Sequence, residues 1–336
     1  MRGQVYKIHS DFYYVQTEQG VFECKIREVL KKQKREVVVG DYVELEQINT
    51  DSAQAFISDI FERKNFIPKP RASNITQAII VSSIKQPDLD FEQLNRYIAH
   101  CEYHNIEPIL CFNKNDLLEE QDLIEKINKI YEELGYKILY TSALKKVGIT
   151  PLLEILKGNT TIFCGSSGVG KSSIINMLSK NIDLKTKEVS TKTQRGVHTT
   201  RHCEIIPINS DSSVVDTPGF SNLKFNFLLP SEIQFLFKEI HKLASDCKFN
   251  NCLHTTESDC SVIGRIENID NTRYESYLKF VEEAKEYKEK ITNRGQKTES
   301  RTKVNKNKIM TKISTKKRNT ARKTTNQDIN KIYEEQ

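Results

Sequence analysis

The sequence predicts a multidomain protein with an N-terminal OB-type β-barrel, a central circularly permuted P-loop GTPase α/β domain and a C-terminal, mostly α-helical zinc domain. Three observations carry this reading. Short alternating runs fill the N-terminal part. A phosphate-loop pattern comes after a guanine-reading pattern instead of before it. Three cysteines and a histidine cluster late in the chain. At 336 residues there is room for two or three domains, placed at 1–65 (barrel), 66–224 (GTPase), 225–292 (zinc) and 293–336 (a basic, disordered tail).

The barrel runs are 4–8, 12–16, 21–27, 37–45 and 55–61, separated by turn clusters such as His9-Ser10-Asp11 and Glu18-Gln19-Gly20. In the third run Phe22, Cys24 and Ile26 point one way and Glu23, Lys25 and Arg27 the other, as in a half-buried strand. Such strands fit an OB barrel, a frequent nucleic-acid binder, and fit an SH3-like barrel almost as well. The basic stretch Lys31-Lys32-Gln33-Lys34-Arg35 is expected in a loop, facing phosphates or solvent.

Pro68 and Pro70 mark a linker. Apolar strands at 78–81, 108–112, 137–140, 161–164 and 214–215 then alternate with helical stretches such as 122–134, the signature of a parallel sheet. Gly165-Ser166-Ser167-Gly168-Val169-Gly170-Lys171-Ser172 matches the phosphate loop, with Ser173 continuing into a helix. Its glycines let backbone N–H groups close on phosphates, and the helix N-terminus favours their charge. Lys171 reaches the β- and γ-phosphates and Ser172 ligates Mg²⁺.

Asn113-Lys114-Asn115-Asp116 follows a strand. A carboxylate at Asp116 accepts both N1–H and the exocyclic amino group of guanine, and adenine offers no matching donor pair. Lys114 packs its stem over the base, Asn113 ties the loop to the phosphate loop, and the backbone of Thr141-Ser142-Ala143 reads guanine O6. In Asp216-Thr217-Pro218-Gly219, Asp216 holds Mg²⁺ through water and the Gly219 N–H senses the γ-phosphate. Within Gly196-Val197-His198-Thr199-Thr200, Thr200 is the first choice to close on Mg²⁺ and Thr199 the second. Phe220 stands where many GTPases place a water-orienting glutamine. His198 is therefore the candidate for ordering the attacking water, alongside Lys171 and Thr200.

The order of these motifs is informative. A conventional GTPase begins with the phosphate loop and ends with the guanine-reading pair. Here the cycle is intact but starts elsewhere, which is tolerated when native termini lie close together. The chain therefore leaves the domain straight after Gly219, in a switch, so the C-terminal region is tied to a part that moves on hydrolysis.

That C-terminal region holds Cys247-x4-Cys252-x-His254-x5-Cys260, three thiolates and an imidazole that make a closed, structural zinc set. Losing that metal is expected to unfold the module and leave GTP affinity nearly intact. Ser231 with Gln234 reads as a capping box opening a helix whose apolar face includes Ile233, Leu236, Phe237 and Ile240. His241 on that helix reads as solvated, and the other five cysteines as small buried hydrophobes.

Charge is uneven. Residues 291–336 carry 13 Lys/Arg against 4 Asp/Glu, a net +9 in a chain of net +6, so the first 290 residues carry −3. A basic tail is a footprint for polyanions or a solvated appendage. No membrane-length apolar stretch or signal-peptide core is apparent, so the expectation is a soluble cytoplasmic protein with no membrane partner, and a monomer.

These motifs, in this order and with this Cys/His spacing, resemble the RsgA (YjeQ/YloQ) family of circularly permuted GTPases over about residues 1–290. The resemblance implies an OB-fold, a permuted GTPase domain and a zinc domain. It also implies hydrolysis of GTP to GDP, binding to the small ribosomal subunit and its rRNA, stimulation there, and assistance to late subunit maturation. Two features depart from the pattern: Arg201 follows Thr200 where many members carry a third threonine, and the long tail is not a general family feature. The competing readings are a GTPase acting on another structured RNA and an RNA-binding scaffold that uses GTP only as a lock.

Overall fold

The computed structural model describes residues 1–33, 35–118, 121–183, 203–208, 211–216, 223–294, 302–305 and 308–311. Among the site expectations, Gly196, His198, Thr199, Thr200 and Gly219 lie outside these residues, as does the side chain of Asp216. The chain forms two compact units, Met1–Ala284 and Lys285–Gln336.

The first unit opens with strands β1 (Arg2–His9), β2 (Phe12–Thr17) and β3 (Gly20–Ile26), a short helix α1 (Glu28–Lys32), and strands β4 (Tyr42–Asn49) and β5 (Gln54–Ile60). Their order is β1-β2-β3-β5-β4, with β4 returning to β1. The β3–β5 pair is parallel, and β1–β4 is antiparallel. This closed five-stranded topology, with a helix between the third and fourth strands, settles the choice in favour of the OB type. Val5, Val15, Phe22, Cys24, Val43, Leu45 and Ile57 fill the barrel, and Leu30 of α1 joins them.

Two details differ from the sequence expectation. Half of the basic stretch lies in α1, because Glu28 and Leu30 give that segment an acidic first turn and a buried side. The fourth strand starts at Tyr42, because Gly40 adopts φ +97° and Val38 N–H donates to Asp41 Oδ2 (2.8 Å), turning the chain. Asp41 is fully buried and also accepts from Arg63 Nε (2.7 Å) and Ser73 Oγ (2.6 Å). It thereby joins the barrel to the hairpin β6 (Phe66–Pro68) and β7 (Arg71–Ser73).

The GTPase part contains β8 (Gln77–Ser83), α2 (Phe91–Tyr103), β9 (Glu107–Asn113), α3 (Asp122–Glu132), β10 (Lys137–Tyr140), α4 (Ile149–Leu156), β11 (Thr160–Cys164), α5 (Lys171–Asp183), β12 (Glu204–Pro207) and β13 (Ser213–Asp216). The sheet order is β10-β9-β8-β11-β13-β12, parallel except for β12. Alternate residues of β8 and β9 enter two layers. Ala78, Ile80, Leu110 and Phe112 pack with residues of α2 and α3, while Ile79, Val81, Ile109 and Cys111 pack with residues of α4 and α5. The outer strand β12 also pairs with β1 of the barrel at Lys7 and Glu204, whose side chains form a 3.2 Å ion pair.

The remainder of this unit is helical: 3₁₀ turns at Pro230–Leu236 and Ile263–Asn268, then α6 (Lys238–Ala244) and α7 (Asn271–Arg294), which continues into the second unit. The expected Ser231/Gln234 capping box is not formed. Pro230 sits in the first turn, Leu229 is the N-cap with its N–H bonded to Glu232, and Gln234 Nε2 donates to Ser231 O (2.9 Å). The second unit holds a short antiparallel pair, β14 (Thr302–Asn305) and β15 (Lys308–Thr311), where no regular element was expected. Val304 and Ile309 are partners in its register.

Candidate functional site: a guanine-nucleotide site and a Cys/His cluster

The ends of β9, β10 and β11 meet at one edge of the sheet, where loops of an open α/β fold gather ligands. Asn113, the last residue of β9, is 1% exposed. Its Nδ2 donates to Val169 O (2.9 Å) in the phosphate loop, and its Oδ1 accepts from Ala143 N–H (3.1 Å) and Thr141 Oγ1 (3.2 Å). One amide thus joins three separate segments. Lys114 turns the chain with φ +61°, and its ammonium bonds to Gln86 O. Asn115 N–H donates to Thr141 O (3.1 Å). Ser142 Oγ donates to Asp116 Oδ1, and this bond holds the carboxyl below its ordinary value, so it stays an acceptor. A bridge between Ser142 and Val147 closes the next turn.

The phosphate loop is held just as closely. Gly165 has φ +138°, and a Cβ there would lie 2.0 Å from Val81 O. Gly170 has φ +97°, and a Cβ there would lie 2.2 Å from Asn113 Nδ2. Both positions need glycine because another strand end occupies the space. Val169 is buried, whereas Ser167, Gly168, Ser172 and Ser173 are exposed and Ser166 is half-buried. Lys171 Nζ donates to Gly165 O (2.8 Å) and Ser166 O (2.6 Å), and burial lowers its pKa. The loop therefore presents backbone N–H groups at the start of α5 with an ammonium folded over them, an anion-binding arrangement.

At the C-terminal end of the first unit, Cys247 Sγ lies 3.9 Å from Cys260 Sγ and 3.6 Å from His254 Nδ1, and His254 Nδ1 lies 3.3 Å from Cys260 Sγ. With Cys252, one ligand atom from each residue falls within 4.8 Å of the others. Ligand atoms of a tetrahedral zinc–thiolate–imidazole centre lie about 3.5–3.8 Å apart, so the set fits one ion. His254 Nε2 contacts Gln234 Oε1 (3.2 Å), which leaves Nδ1 to face the thiols. Ser261 and Ile263 N–H groups point at the sulfurs of Cys247 and Cys260. His241 is exposed against Phe235, as expected. Of the five remaining cysteines, Cys24, Cys101, Cys111 and Cys164 are buried and Cys203 is half-buried.

The RsgA GTPase family model matches residues 60–226 and the RsgA N-terminal domain model matches residues 2–57. A broader model, described as a 50S ribosome-binding GTPase, matches residues 160–293. The chain is 39% identical to the small ribosomal subunit biogenesis GTPase RsgA of Alkaliphilus metalliredigens, over 84% of this chain and 98% of that one. It is 41% identical to the same-named protein of Geobacillus sp., over 85% and 98%. This chain belongs to the RsgA family. Among solved structures it resembles YjeQ from Thermotoga maritima (TM-score 0.73, 33% identity, 84% of this chain and 98% of that one). It also resembles YloQ, described as a circularly permuted GTPase (TM-score 0.72, 33% identity, 85% and 95%). As a family member the chain is a GTP hydrolase with a permuted domain, and its sheet carries the permutation: β9 and β10, the strands leading to Asn113 and Thr141, precede β11 in sequence and join it in one parallel sheet through β8.

One participant is not legible in the sequence. Helix α2 buries Asn95, Arg96, Tyr97 and His100 beside the nucleotide-loop elements and the C-terminal helices. Asn95 Nδ2 donates to Ser276 Oγ (2.9 Å), and its Oδ1 accepts from Tyr131 Oη (2.8 Å) and Arg273 Nη1 (3.1 Å). Arg273 is 1% exposed and pairs with Glu239 at 2.7 Å. Leu223, the first described residue after the second switch motif, offers its carbonyl to His100 Nε2 (2.8 Å) and Arg96 Nη1 (3.3 Å). The C-terminal helices are thus bonded into the GTPase part through buried polar contacts, so the expected independence of the zinc module from GTP affinity has no structural basis. Such polar residues spoil the apolar periodicity by which a buried helix is recognised.

Proposed function

We propose that this RsgA-family GTPase binds the small ribosomal subunit and its rRNA, assists late maturation of the subunit, and hydrolyses GTP to GDP and phosphate with stimulation by the subunit. The observation that carries this is the Asn113–Val169 bond, which makes the guanine-reading loop and the phosphate loop one unit. It stands in a chain whose relatives, matched over nearly their whole length, bear the name of small-subunit biogenesis GTPases.

In this reading Asp116 accepts the two guanine donors, Lys114 covers the base, and Ser142 and Ala143 present backbone to O6, with Asn113 and Asn115 shaping the loop. The stretch from Gly165 through Ser173 wraps the phosphates, and Lys171 neutralises the β- and γ-oxygens. Ser172, Thr200 and Asp216 would hold Mg²⁺, which would supply charge neutralisation across those phosphates. The Gly219 N–H reads the γ-phosphate, and His198 orders the attacking water in place of a glutamine. Cys247, Cys252, His254 and Cys260 hold one structural zinc ion.

The barrel supplies an RNA-facing surface. A groove of about 420 Å³ is lined by the aromatic Tyr13 and Phe56 and by the cationic Lys25, Arg27 and Lys31, with Asp11 and Glu28 also on its wall, and Lys25 lies over the Phe12 ring. Aromatic and cationic side chains together stack bases and attract phosphates. No helix among the described residues is long and apolar enough to cross a membrane, and the reading places the protein as a cytoplasmic monomer. Co-sedimentation with purified small subunits tests it: a non-hydrolysable GTP analogue should hold the protein on the subunit and GDP should release it. Absence from the subunit in both nucleotide states would remove the ribosomal part of the proposal.

A further inference from the structure

Strand β8 ends beside β9, with Ser83 opposite Asn113, and the chain then runs through a loop, residues 84–90, into α2. Both ends of this loop are fixed. The Ile84 N–H donates to Asn113 O (3.1 Å). The Asp90 carboxylate accepts from the Gln93 N–H (3.0 Å) and caps α2. The middle is fixed as well: Ser83, 2% exposed, donates its hydroxyl to Pro87 O (2.6 Å). One buried hydroxyl thus folds the loop back over the end of β8.

Held in this way, the loop touches both nucleotide motifs. Pro87 stands beside the phosphate loop, where a Cβ on Gly168 would lie 3.8 Å from Pro87 Cδ. Gln86, its neighbour, accepts at its carbonyl from the Lys114 ammonium. Lys114 is therefore fixed at both ends, its backbone by the guanine-reading loop and its Nζ by the 84–90 loop. A lysine tethered in advance has less freedom to lose when the base arrives. Resting on the reading that lays the Lys114 stem over guanine, we propose that Ser83 is a positioning residue for the base. Its hydroxyl fixes the loop, the Gln86 carbonyl holds the Lys114 ammonium, and the lysine stem is preset to cover the ring. Ser83 acts through the loop and not on the nucleotide.

Full-length wild type, Ser83→Ala, Lys114→Met, the double variant and Thr161→Val are titrated with fluorescent GDP and a fluorescent non-hydrolysable GTP analogue. KM and kcat for GTP are measured alongside. Lys114→Met keeps an apolar stem and removes the ammonium. Thr161 is a matched control: its hydroxyl is fully buried and accepts from Gln77 Nε2 (2.8 Å) at the far end of β8. Ser83→Ala should weaken both nucleotides roughly three- to tenfold and raise KM with kcat little changed, the effect of one lost hydrogen bond in a binding element. Lys114→Met should lose a similar factor. The double variant should lose no more than the weaker-binding single variant, because both substitutions break one tether. Thr161→Val should lower the unfolding midpoint without moving either affinity. Additive losses in the double variant, unchanged affinity in Ser83→Ala, or equal losses in Ser83→Ala and Thr161→Val would each overturn the proposal. Wild type that binds GDP no better than ADP would instead sink the guanine reading on which it rests.

Discussion

Asn113 Nδ2 donates to Val169 O across 2.9 Å, although 56 positions separate the two residues in the chain. Gly170 leaves room for this bond: any Cβ there would collide with the Asn113 amide. In conventional order the two motifs stand at opposite ends of the domain; permutation draws them closer along the chain, and this bond joins them in space.

Gly170→Ala should therefore break the junction twice over, by forcing a side chain into a left-handed backbone and by displacing Asn113. The expected cost is roughly 2–5 kcal/mol of stability, together with lost binding of GDP and GTP. Urea unfolding and a GDP titration measure both, and a wild-type midpoint with wild-type affinity would refute the packing argument.

Asp116→Ala should discriminate between bases. Its carboxylate accepts from the Ser142 hydroxyl, which lowers its pKa further, and it is the only group assigned to the guanine donors. GTP affinity should fall roughly 10²-fold or more while the weak ATP affinity hardly changes, because the phosphate cradle remains. Parallel losses for both nucleotides would cancel the guanine assignment.

The helices around the Cys/His cluster are bonded to α2 of the GTPase part. Elemental analysis should find one zinc per chain, and Cys252→Ala should abolish it and destabilise the C-terminal helices. Because Asn95, Arg96 and Arg273 bond those helices to α2, GDP affinity should fall along with zinc. A zinc-free protein that binds GDP as well as wild type would show the helices to be separable after all.

His100 gives a pH signature. Burial pushes its pKa down to about 4, with Arg96 and His104 acting the same way and the Leu223 carbonyl and Glu283 opposing. A histidine held neutral in the fold contributes fully above its ordinary value of 6.5, and that contribution fades as pH falls from 6.5 toward 4. By pH 5 the loss should be about 2 kcal/mol relative to pH 8. In His100→Gln the fall in urea-unfolding stability over that interval should be smaller by this amount; identical falls would contradict the assignment.

Much of this molecule was legible in its sequence because the chemistry is local. The phosphate loop, the Asn113–Asp116 set and the Cys/His cluster are each short runs whose residue types are dictated by a ligand. What escaped is non-local. An OB and an SH3-like barrel share their alternating pattern, and only the parallel β3–β5 pairing with β4 on β1 separates them. The α2 contacts were hidden because Asn95, Arg96 and His100 look like surface residues until Ser276, Glu283 and Leu223 are brought to meet them. Strand β12 was missed because it is four residues long and takes its support from β13 and β1.

The central claim is that this is a GTPase whose work is done on the small ribosomal subunit. The most direct measurement is single-turnover GTP hydrolysis by the full-length protein alone, with purified small subunits, and with purified large subunits. The account predicts slow hydrolysis by the free protein and by the protein with large subunits, and strong acceleration by small subunits. That acceleration should fall roughly 10²-fold in His198→Ala, with GTP affinity nearly kept. The same slow rate in all three conditions, or acceleration by the large subunit instead, would contradict it.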